Sequence, residues 1–253
     1  MNLAIITGAS SGLGREYTRL VAEKYPQLDE ILLIARRRER LEEIALAYPN
    51  RRIHALALDL TDAASFNVIA RWLDERNASV GLLVNNAGMG VLGDVADSQP
   101  ETQARMIDLN CRALTALTTL CLQRMPRGAA IVNVCSIAAF VPNPRLNTYS
   151  ATKAFVLSFT KGLREELKPR GVQALAVCPA PMDTEFLPVA GIQPGISRTF
   201  DILPRVKPGV VAEKSLAAAF RGRCVYTNGL LYKCFRVLGK LLPHNWLMRF
   251  TAC

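Results

Sequence analysis

The amino-acid sequence predicts an α/β fold, a doubly wound parallel sheet of about seven strands with helices on both faces. Short apolar runs of strand length alternate with longer amphipathic runs along most of the 253 residues. The apolar runs are continuous rather than alternating, which is typical of strands buried on both faces. Several of them end in glycine or small polar residues, as strands do at the ligand-binding edge of such a sheet.

Each element follows from this alternation. Strands are predicted at residues 3–6, 31–35, 53–58, 82–84, 130–135, 172–177 and near 224–227. Helices are predicted at residues 15–24, 36–47, 63–76, 102–123, 149–167 and 211–221. We expect a single domain over residues 1–253, with a Pro-rich substrate loop at about 180–208 and an amphipathic C-terminal tail at about 229–253.

Composition and cysteine usage limit the class of protein. Half of the residues are apolar and 21% are charged, which is typical of a globular chain rather than a disordered one. The seven cysteines are scattered, with no CxxC pair, so we expect free thiols in a reducing compartment and no metal site. No export signal precedes the first motif, and no apolar run approaches the ~20 residues of a membrane span. A soluble, cytoplasmic protein is expected.

Positive charge is concentrated near the C-terminus. The net charge is +10, and residues 196–253 carry ten Lys and Arg against two Asp and Glu. Such a surface could meet nucleic acid or an anionic membrane. No nucleic-acid-binding motif or interleaved aromatic platform accompanies the charge, so nucleic acid is not an expected partner.

A glycine-rich turn joins the first strand to the first helix. There the backbone must turn tightly and approach a pyrophosphate at the helix N-terminus. The turn could also be no more than a tight connection, and its spacing differs from GxGxxG. The cofactor contacts predicted from it are Gly8, Ser10, Ser11, Gly12, Leu13 and Gly14.

Residues at the ends of the next three strands predict the type of dinucleotide. Where an NAD enzyme places an acidic residue against the ribose, the chain has Arg36, a cation suited to a 2′-phosphate. Arg37 and Arg38 are interpreted as the solvated start of a helix. Asp59, followed by Leu60, is predicted to contact adenine. The remaining predictions are Asp62 as a helix cap and Asn86, Ala87 and Gly88 as lining of the cofactor cleft.

The proton-transfer site is predicted from Tyr149 and Lys153, which share one helix face at i and i+4. A fixed ammonium, together with the positive nicotinamide, would favour the phenolate and lower the tyrosine pKa from about 10. Ser136, at the end of a strand, could hold and polarise a substrate oxygen.

These segments together resemble the short-chain dehydrogenase/reductase family over essentially residues 3–228. The resemblance implies a Rossmann-like fold, Tyr149 as general acid/base, and Lys153 on the nicotinamide ribose. It implies that Asn110 holds a proton-relay water, although an ordinary surface amide is the alternative. Pro179 and Thr184 match cofactor contacts, but Ala180 replaces the usual glycine and leaves the local backbone path open. A homodimer or homotetramer through the long helices is also implied.

The resulting hypothesis is an NADP(H)-dependent oxidoreductase that transfers a hydride between nicotinamide and a carbonyl or secondary alcohol. The substrate is expected to be chosen by residues 137–148 and 180–208. Apolar residues there suggest an apolar pocket and favour a steroid, then a fatty or aromatic ketone, then a polyol; they are Phe140, Val141, Leu146, Phe186 and Leu187. The alternative is a catalytically silent dinucleotide-binding sensor or interaction protein on the same fold. For the tail, packing on the active-site mouth or on a second subunit is favoured over weak contact with an anionic membrane surface.

Overall fold

The computed structural model describes residues 2–251 and 253, and it contains a seven-stranded sheet with every strand parallel to its neighbours. The strand order is β3-β2-β1-β4-β5-β6-β7. The strands are β1 (Asn2–Thr7), β2 (Glu30–Ala35), β3 (Arg52–Ala57), β4 (Ser79–Asn85), β5 (Ala130–Val134), β6 (Gln173–Cys178) and β7 (Val225–Thr227). The predicted fold class is confirmed.

Helices cover both faces of the sheet. They are α1 (Gly12–Lys24), α2 (Arg38–Leu46), α3 (Ala64–Glu75), α4 (Pro100–Ile107), α5 (Leu114–Leu122), α6 (Asn147–Leu167), α7 (Phe186–Val189), α8 (Arg198–Ile202), α9 (Pro208–Phe220), α10 (Leu230–Leu241) and α11 (His244–Thr251). Ala4 and Ile6 of β1 pack with α1 and α9, whereas Leu3 and Ile5 pack with α3, α5 and α6. This alternation explains the continuous apolar runs, because both sides of each central strand are buried.

The strand order reverses between β1 and β4, which pair with each other although β2 and β3 separate them in sequence. At such a switch point the chain leaves neighbouring strands toward opposite faces, and a crevice opens beyond the carboxyl ends of the strands. The glycine turn follows β1 and the polar turn 86–88 follows β4. The topology therefore brings the predicted cofactor segments to one edge.

One predicted helix and the amphipathic tail are both interrupted. The segment predicted as a helix over 102–123 is α4 and α5 joined by a π-helical turn, Asp108–Ala113. The amphipathic tail is not one helix, because Pro243 has no N–H to continue the ladder and α10 ends at Leu241. The predicted loop 180–208 contains the short helices α7 and α8.

The C-terminal tail packs against residues 140–142, in the segment between β5 and α6 that we call the active-site mouth, and against the predicted substrate loop. Phe235 of α10 lies 6.1 Å from Phe140, measured between ring centroids. Thr251 donates a hydrogen bond to the carbonyl of Pro142 at 3.0 Å. Tyr232 donates one to the carbonyl of Pro204 at 2.7 Å, which ties the tail to the substrate loop. Within residues 2–251 and 253, no helix has the length and apolar character needed to cross a bilayer.

Candidate active site

The glycine-rich turn is compact because Gly8, Gly12 and Gly14 lack a side chain. A Cβ on Gly14 would lie 2.2 Å from the carbonyl oxygen of Gly8, so α1 could not begin this close to β1 with any other residue. Gly12 has φ +50°, and a Cβ there would lie 3.2 Å from the side chain of Thr184. The turn therefore exposes the N-terminus of α1 at the switch point, with Thr184 of the substrate loop directly against it.

Thr7 and Asn86 connect the ends of β1 and β4. The Thr7 hydroxyl oxygen accepts hydrogen bonds from the main-chain N–H groups of Asn86 and Ala87, both at 3.0 Å. The Asn86 side-chain amide donates to the carbonyls of Thr7 and Gly8 at 3.0 and 3.2 Å. Asn86 therefore fixes the glycine turn, which is a positioning role within the predicted cleft.

Three arginines follow β2, and the structure uses them differently from the sequence interpretation. Arg36 is exposed. Arg37 is not merely solvated, because its Nη2 donates to Ser10 Oγ at 3.0 Å and its Nη1 to Glu185 Oε2 at 2.8 Å. Arg40 also pairs with the Glu185 carboxylate. The Glu185 carboxylate, in the predicted substrate loop, thus forms ion pairs with Arg37 and Arg40 beside the glycine turn.

Asp59 follows β3, and its carboxylate is already engaged within the protein. Oδ1 accepts hydrogen bonds from the N–H and hydroxyl of Thr61 at 2.9 and 2.7 Å, and Oδ2 pairs with Arg105 at 2.5 Å. Burial alone would raise the pKa of Asp59, but these hydrogen bonds and the charges of Arg105 and Arg36 together lower it. An adenine contact by Asp59 stays a prediction. Asp62 accepts from the N–H of Ala64 at 2.9 Å, but the N-cap residue of α3 is Ala63, so Asp62 lies one position before the cap that was predicted for it.

Ser136, Tyr149 and Lys153 come together at the end of β5. Ser136 follows the strand, and its oxygen accepts the N–H of Ala138 at 3.1 Å, which caps a short 3₁₀ turn. Tyr149 and Lys153 lie in α6, and Lys153 Nζ is 5.6 Å from the Tyr149 ring centroid. Lys153 Nζ donates to the carbonyl of Val134 at 3.0 Å, which fixes the ammonium beside the strand end.

Burial controls the protonation of this group. It raises the pKa of Tyr149 well above the ordinary value, and a hydrogen bond with Ser136 only partly offsets the rise. Burial also lowers the pKa of Lys153. The protein alone therefore keeps the phenol protonated, in contrast to the expectation that Lys153 would lower the tyrosine pKa.

Asn110 lies in the π-helical turn and is buried. Its Nδ2 donates to the carbonyl of Met89 at 2.8 Å and to the Thr152 hydroxyl at 3.0 Å, and its Oδ1 accepts the N–H of Met89 at 2.9 Å. A Cβ on Gly88 would lie 3.1 Å from Asn110 Oδ1 and 3.4 Å from Lys153 Nζ. The side chain is therefore not a surface amide, and a proton-relay water at Asn110 stays a prediction.

Apolar side chains enclose the face of Tyr149. The Phe186 ring lies 5.6 Å from the Tyr149 ring, and a Cβ on Gly90 would approach both rings within 3.1 Å. The other members of the apolar group around Tyr149 are Met106, Leu146 and Cys253, with Met89, Val91, Leu92, Ala138 and Phe200 at its edge. Phe140 and Val141, predicted for the pocket, belong to the neighbouring cluster beneath α10, and Leu187 to a third.

The backbone after β6 is regular despite Ala180. Ala180 is buried, its φ is negative, and its N–H donates to Asn228 Oδ1 at 3.0 Å. The carbonyl of Pro179 accepts the N–H of Ile137 at 3.1 Å, which links this segment to the Ser136 turn. Alanine is therefore accommodated here. Pro179 lies beside the Ser136 turn and Thr184 lies against Gly12, and their contacts with the cofactor stay predictions.

Sequence reasoning missed several residues of this site. The pairing of Glu185 with Arg37 and Arg40 joins positions that are far apart in sequence, so no local pattern indicates it. Thr152, which binds Asn110, lies on the same helix as Tyr149 but outside the YxxxK spacing. Among residues 2–251 and 253, no group of three or more His, Cys, Asp or Glu side chains could hold a metal ion.

Comparisons with known proteins identify the family. The family model of the short chain dehydrogenases matches residues 2–193. Sulfoacetaldehyde reductase 2 of Chromohalobacter salexigens is 37% identical over 190 residues, which cover 73% of this chain and 74% of the reductase.

Two solved structures cover nearly the whole chain. A short-chain dehydrogenase from Sphingobium yanoikuyae in complex with NADPH has a TM-score of 0.81 and 31% identity, covering 98% of this chain and 96% of that one. A bulky-bulky ketone specific alcohol dehydrogenase from Comamonas testosteroni has a TM-score of 0.77 and 27% identity, covering 98% and 94%. With the family model matching most of the chain, and the glycine turn and the Ser136, Tyr149 and Lys153 group in place, this protein belongs to the short-chain dehydrogenase/reductase family.

Proposed function

We propose that this protein is an NADP(H)-dependent oxidoreductase that reduces a bulky, apolar ketone to a secondary alcohol. The observation that carries the proposal is the group formed by the buried Tyr149 and Lys153 and the half-buried Ser136, beneath an apolar wall and next to the N-terminus of α1. A phenol, a hydroxyl and a fixed ammonium in a water-poor site suit the transfer of one proton to a carbonyl oxygen.

The cofactor edge suits a dinucleotide with an extra phosphate. The N-terminus of α1 can receive the pyrophosphate, and Arg36, Arg37 and Arg40 supply positive charge for a 2′-phosphate. A cavity of about 300 Å³ at this edge is lined by Ser10, Arg15, Arg40, Glu43, Ile44 and Glu185. The structure of the Sphingobium yanoikuyae relative contains NADPH, which supports the same choice here.

The chain's own residues perform the proton chemistry. When bound, NADPH supplies the hydride that reaches the carbonyl carbon. The Ser136 hydroxyl orients the carbonyl oxygen, and Tyr149 donates its proton to that oxygen. Lys153, fixed on the carbonyl of Val134, holds a positive charge near the phenol and stabilises the phenolate left behind. Asn110 is a positioning residue, since its side chain ties the segment at Met89 to α6.

The wall around Tyr149 favours an apolar substrate. Phe186, Val91 and Leu92 are among the partly exposed members of the group around Tyr149, and burial of a ring or alkyl chain against them would contribute about 25 cal/mol per Å². The relative from Comamonas testosteroni is described as specific for bulky-bulky ketones, which supports the same class. A small anionic aldehyde is the other candidate, because of the identity to sulfoacetaldehyde reductase 2.

The experiment is NADPH oxidation by the purified chain with an aryl alkyl ketone, a steroid ketone and sulfoacetaldehyde, together with Tyr149→Phe. We expect turnover of at least one apolar ketone, and a loss of about 10²-fold or more in Tyr149→Phe with NADPH binding retained. Tyr226→Phe, a half-buried tyrosine on β7, is the matched control and should keep wild-type turnover.

Three outcomes would contradict the proposal. Turnover of sulfoacetaldehyde alone would assign the small anionic substrate class instead. Full turnover in Tyr149→Phe would remove the proton-transfer role, and NADPH binding without turnover of any carbonyl would favour a catalytically silent sensor.

A further inference from the structure

Helix α10 turns an apolar face away from the rest of the molecule. Leu230, Val237 and Leu241 recur at i, i+7 and i+11, and they are 77%, 51% and 73% exposed. Tyr232 and Gly239, on the opposite face, are buried, and a Cβ on Gly239 would lie 2.9 Å from the carbonyl oxygen of Phe140. The protein therefore holds α10 by one face and leaves the other, apolar face in solvent.

Helix α11 continues this arrangement. Trp246 and Phe250, at i and i+4, are 67% and 80% exposed, whereas Leu247 and Met248 pack inward. We name five of the exposed side chains the outer stripe; they are Leu230, Val237, Leu241, Trp246 and Phe250. With Leu231, Leu238 and Leu242 beside them, eight large apolar side chains are exposed within 21 residues, which goes beyond the scattered exposure that is normal for a protein surface.

The charges beside the outer stripe are all positive. Residues 229–253 contain Lys233, Arg236, Lys240 and Arg249 and no Asp or Glu. Lys233 and Lys240 are seven residues apart and both exposed, so they form a row along one side of the stripe on α10. A two-fold contact between copies through this face would bring like charges together. An anionic surface would complement them.

The dimensions of the segment fit a helix pair lying on a surface. Helix α10 has 12 residues and α11 has 8, and neither approaches the ~20 residues needed to span a bilayer. Apolar side chains on one face, a row of lysines beside them, and exposed aromatic residues are typical of helices that lie in the plane of a membrane interface.

We propose that α10 and α11 bind the surface of a membrane rich in anionic phospholipid. The outer stripe enters the boundary between headgroups and acyl chains, and Lys233 and Lys240 contact the phosphates. The inner face stays on the protein, through the hydrogen bond from Thr251 to Pro142 and that from Tyr232 to Pro204. The active-site mouth would then lie close to the bilayer. Binding is independent of the proposed function, since it requires neither cofactor nor substrate.

The test is binding of the full chain to vesicles of phosphatidylcholine with phosphatidylglycerol, compared with phosphatidylcholine alone. Sedimentation measures partitioning, and in a Trp72→Phe background the fluorescence of Trp246, the other of the two tryptophans, reports its transfer from water to lipid. We expect co-sedimentation and a blue shift with the anionic vesicles. Leu241→Ser should weaken partitioning roughly tenfold, because it removes one leucine side chain that the lipid would bury.

Variants of Lys233 and Lys240 test the role of positive charge, and an exposed leucine elsewhere serves as the matched control. Lys233→Glu with Lys240→Glu should weaken binding by roughly fivefold or more for each lysine, given about 1 kcal/mol for each basic residue near an anionic surface. Leu46→Ser, at an 80% exposed leucine on α2, should bind like the wild type. The side chains of Leu46, Lys233, Lys240 and Leu241 are all exposed, and a thermal melt of each variant verifies folding.

Three results would overturn the proposal. The first is no partitioning into either vesicle. The second is equal partitioning into both, which would remove the role of the lysines. The third is self-association that Leu241→Ser abolishes in the absence of lipid, which would assign the outer stripe to a second copy of the chain.

Discussion

Tyr149 occupies an environment that holds its proton. Burial raises its pKa, and the buried Cys135 and Cys178 nearby raise it further. Lys153 contributes a fixed cation at 5.6 Å from the ring, but its own burial lowers its pKa. Without cofactor, the Tyr149 phenol is therefore protonated and can donate a proton. This suits reduction of a carbonyl more directly than oxidation of an alcohol.

The raised pKa of Tyr149 predicts how the rate of ketone reduction depends on pH. Ketone reduction requires the protonated phenol, and a raised pKa keeps it protonated through and beyond neutral pH. We expect kcat for reduction to be flat from about pH 6 to about pH 9 and to fall only at higher pH, above the ordinary tyrosine value of about 10. Steady-state kinetics with NADPH and a ketone would measure it. A kcat that increases with pH across the neutral range would contradict the assignment.

Tyr17 provides the control for that profile. It is fully buried, donates to or accepts from the Ser215 hydroxyl at 2.7 Å, and burial raises its pKa as well. It lies between α1 and α9, away from the Ser136 group. Tyr17→Phe should therefore leave the shape of the pH profile unchanged.

At the scale of elements, the substrate loop is held to α2 by an ion pair. Glu185 binds Arg37 and Arg40, and Arg37 also binds Ser10 of the glycine turn. If these arginines receive the 2′-phosphate, the carboxylate competes with the cofactor for them. Nearly half of each side chain is exposed, so solvent weakens the pair and the competition is modest.

Neutralising this carboxylate tests the competition. We expect Glu185→Gln to bind NADPH several-fold more tightly and NADH unchanged, because only NADPH carries the competing phosphate. Fluorescence titration of both nucleotides would measure it. Glu213→Gln, which removes an exposed pair with Lys24 elsewhere, should affect neither nucleotide. Weaker NADPH binding in Glu185→Gln would instead indicate that the ion pair supports the cofactor site.

The elements themselves were predictable to different degrees. Continuous apolar runs specify buried parallel strands, so β1 to β6 were predicted within a few residues. The π-helical turn at Asn110 was not predicted, since one extra residue in a helical turn leaves nearly the same periodicity. The break between α10 and α11 had a signal in Pro243, which the amphipathic pattern on either side obscured.

For the molecule as a whole, the sequence predicted the fold and the grouping of the catalytic candidates, because strand order brings the ends of β1, β4 and β5 to one edge. It did not predict contacts between distant segments, such as Glu185 with Arg37 or Asn110 with Met89. Those depend on the path of the loop, which no local pattern encodes. The roles of the site residues, the homo-oligomer and the cellular location stay predictions.

The central claim is that this fold binds a dinucleotide with a 2′-phosphate and uses it in reduction. The most direct measurement is equilibrium titration of the wild type and Arg36→Asp with NADPH and with NADH. We expect NADPH to bind the wild type at least about tenfold more tightly than NADH, since a charge-assisted contact contributes roughly 1.5–3 kcal/mol, and Arg36→Asp to remove most of that preference. Binding of neither nucleotide, or tighter binding of NADH by the wild type, would contradict the claim.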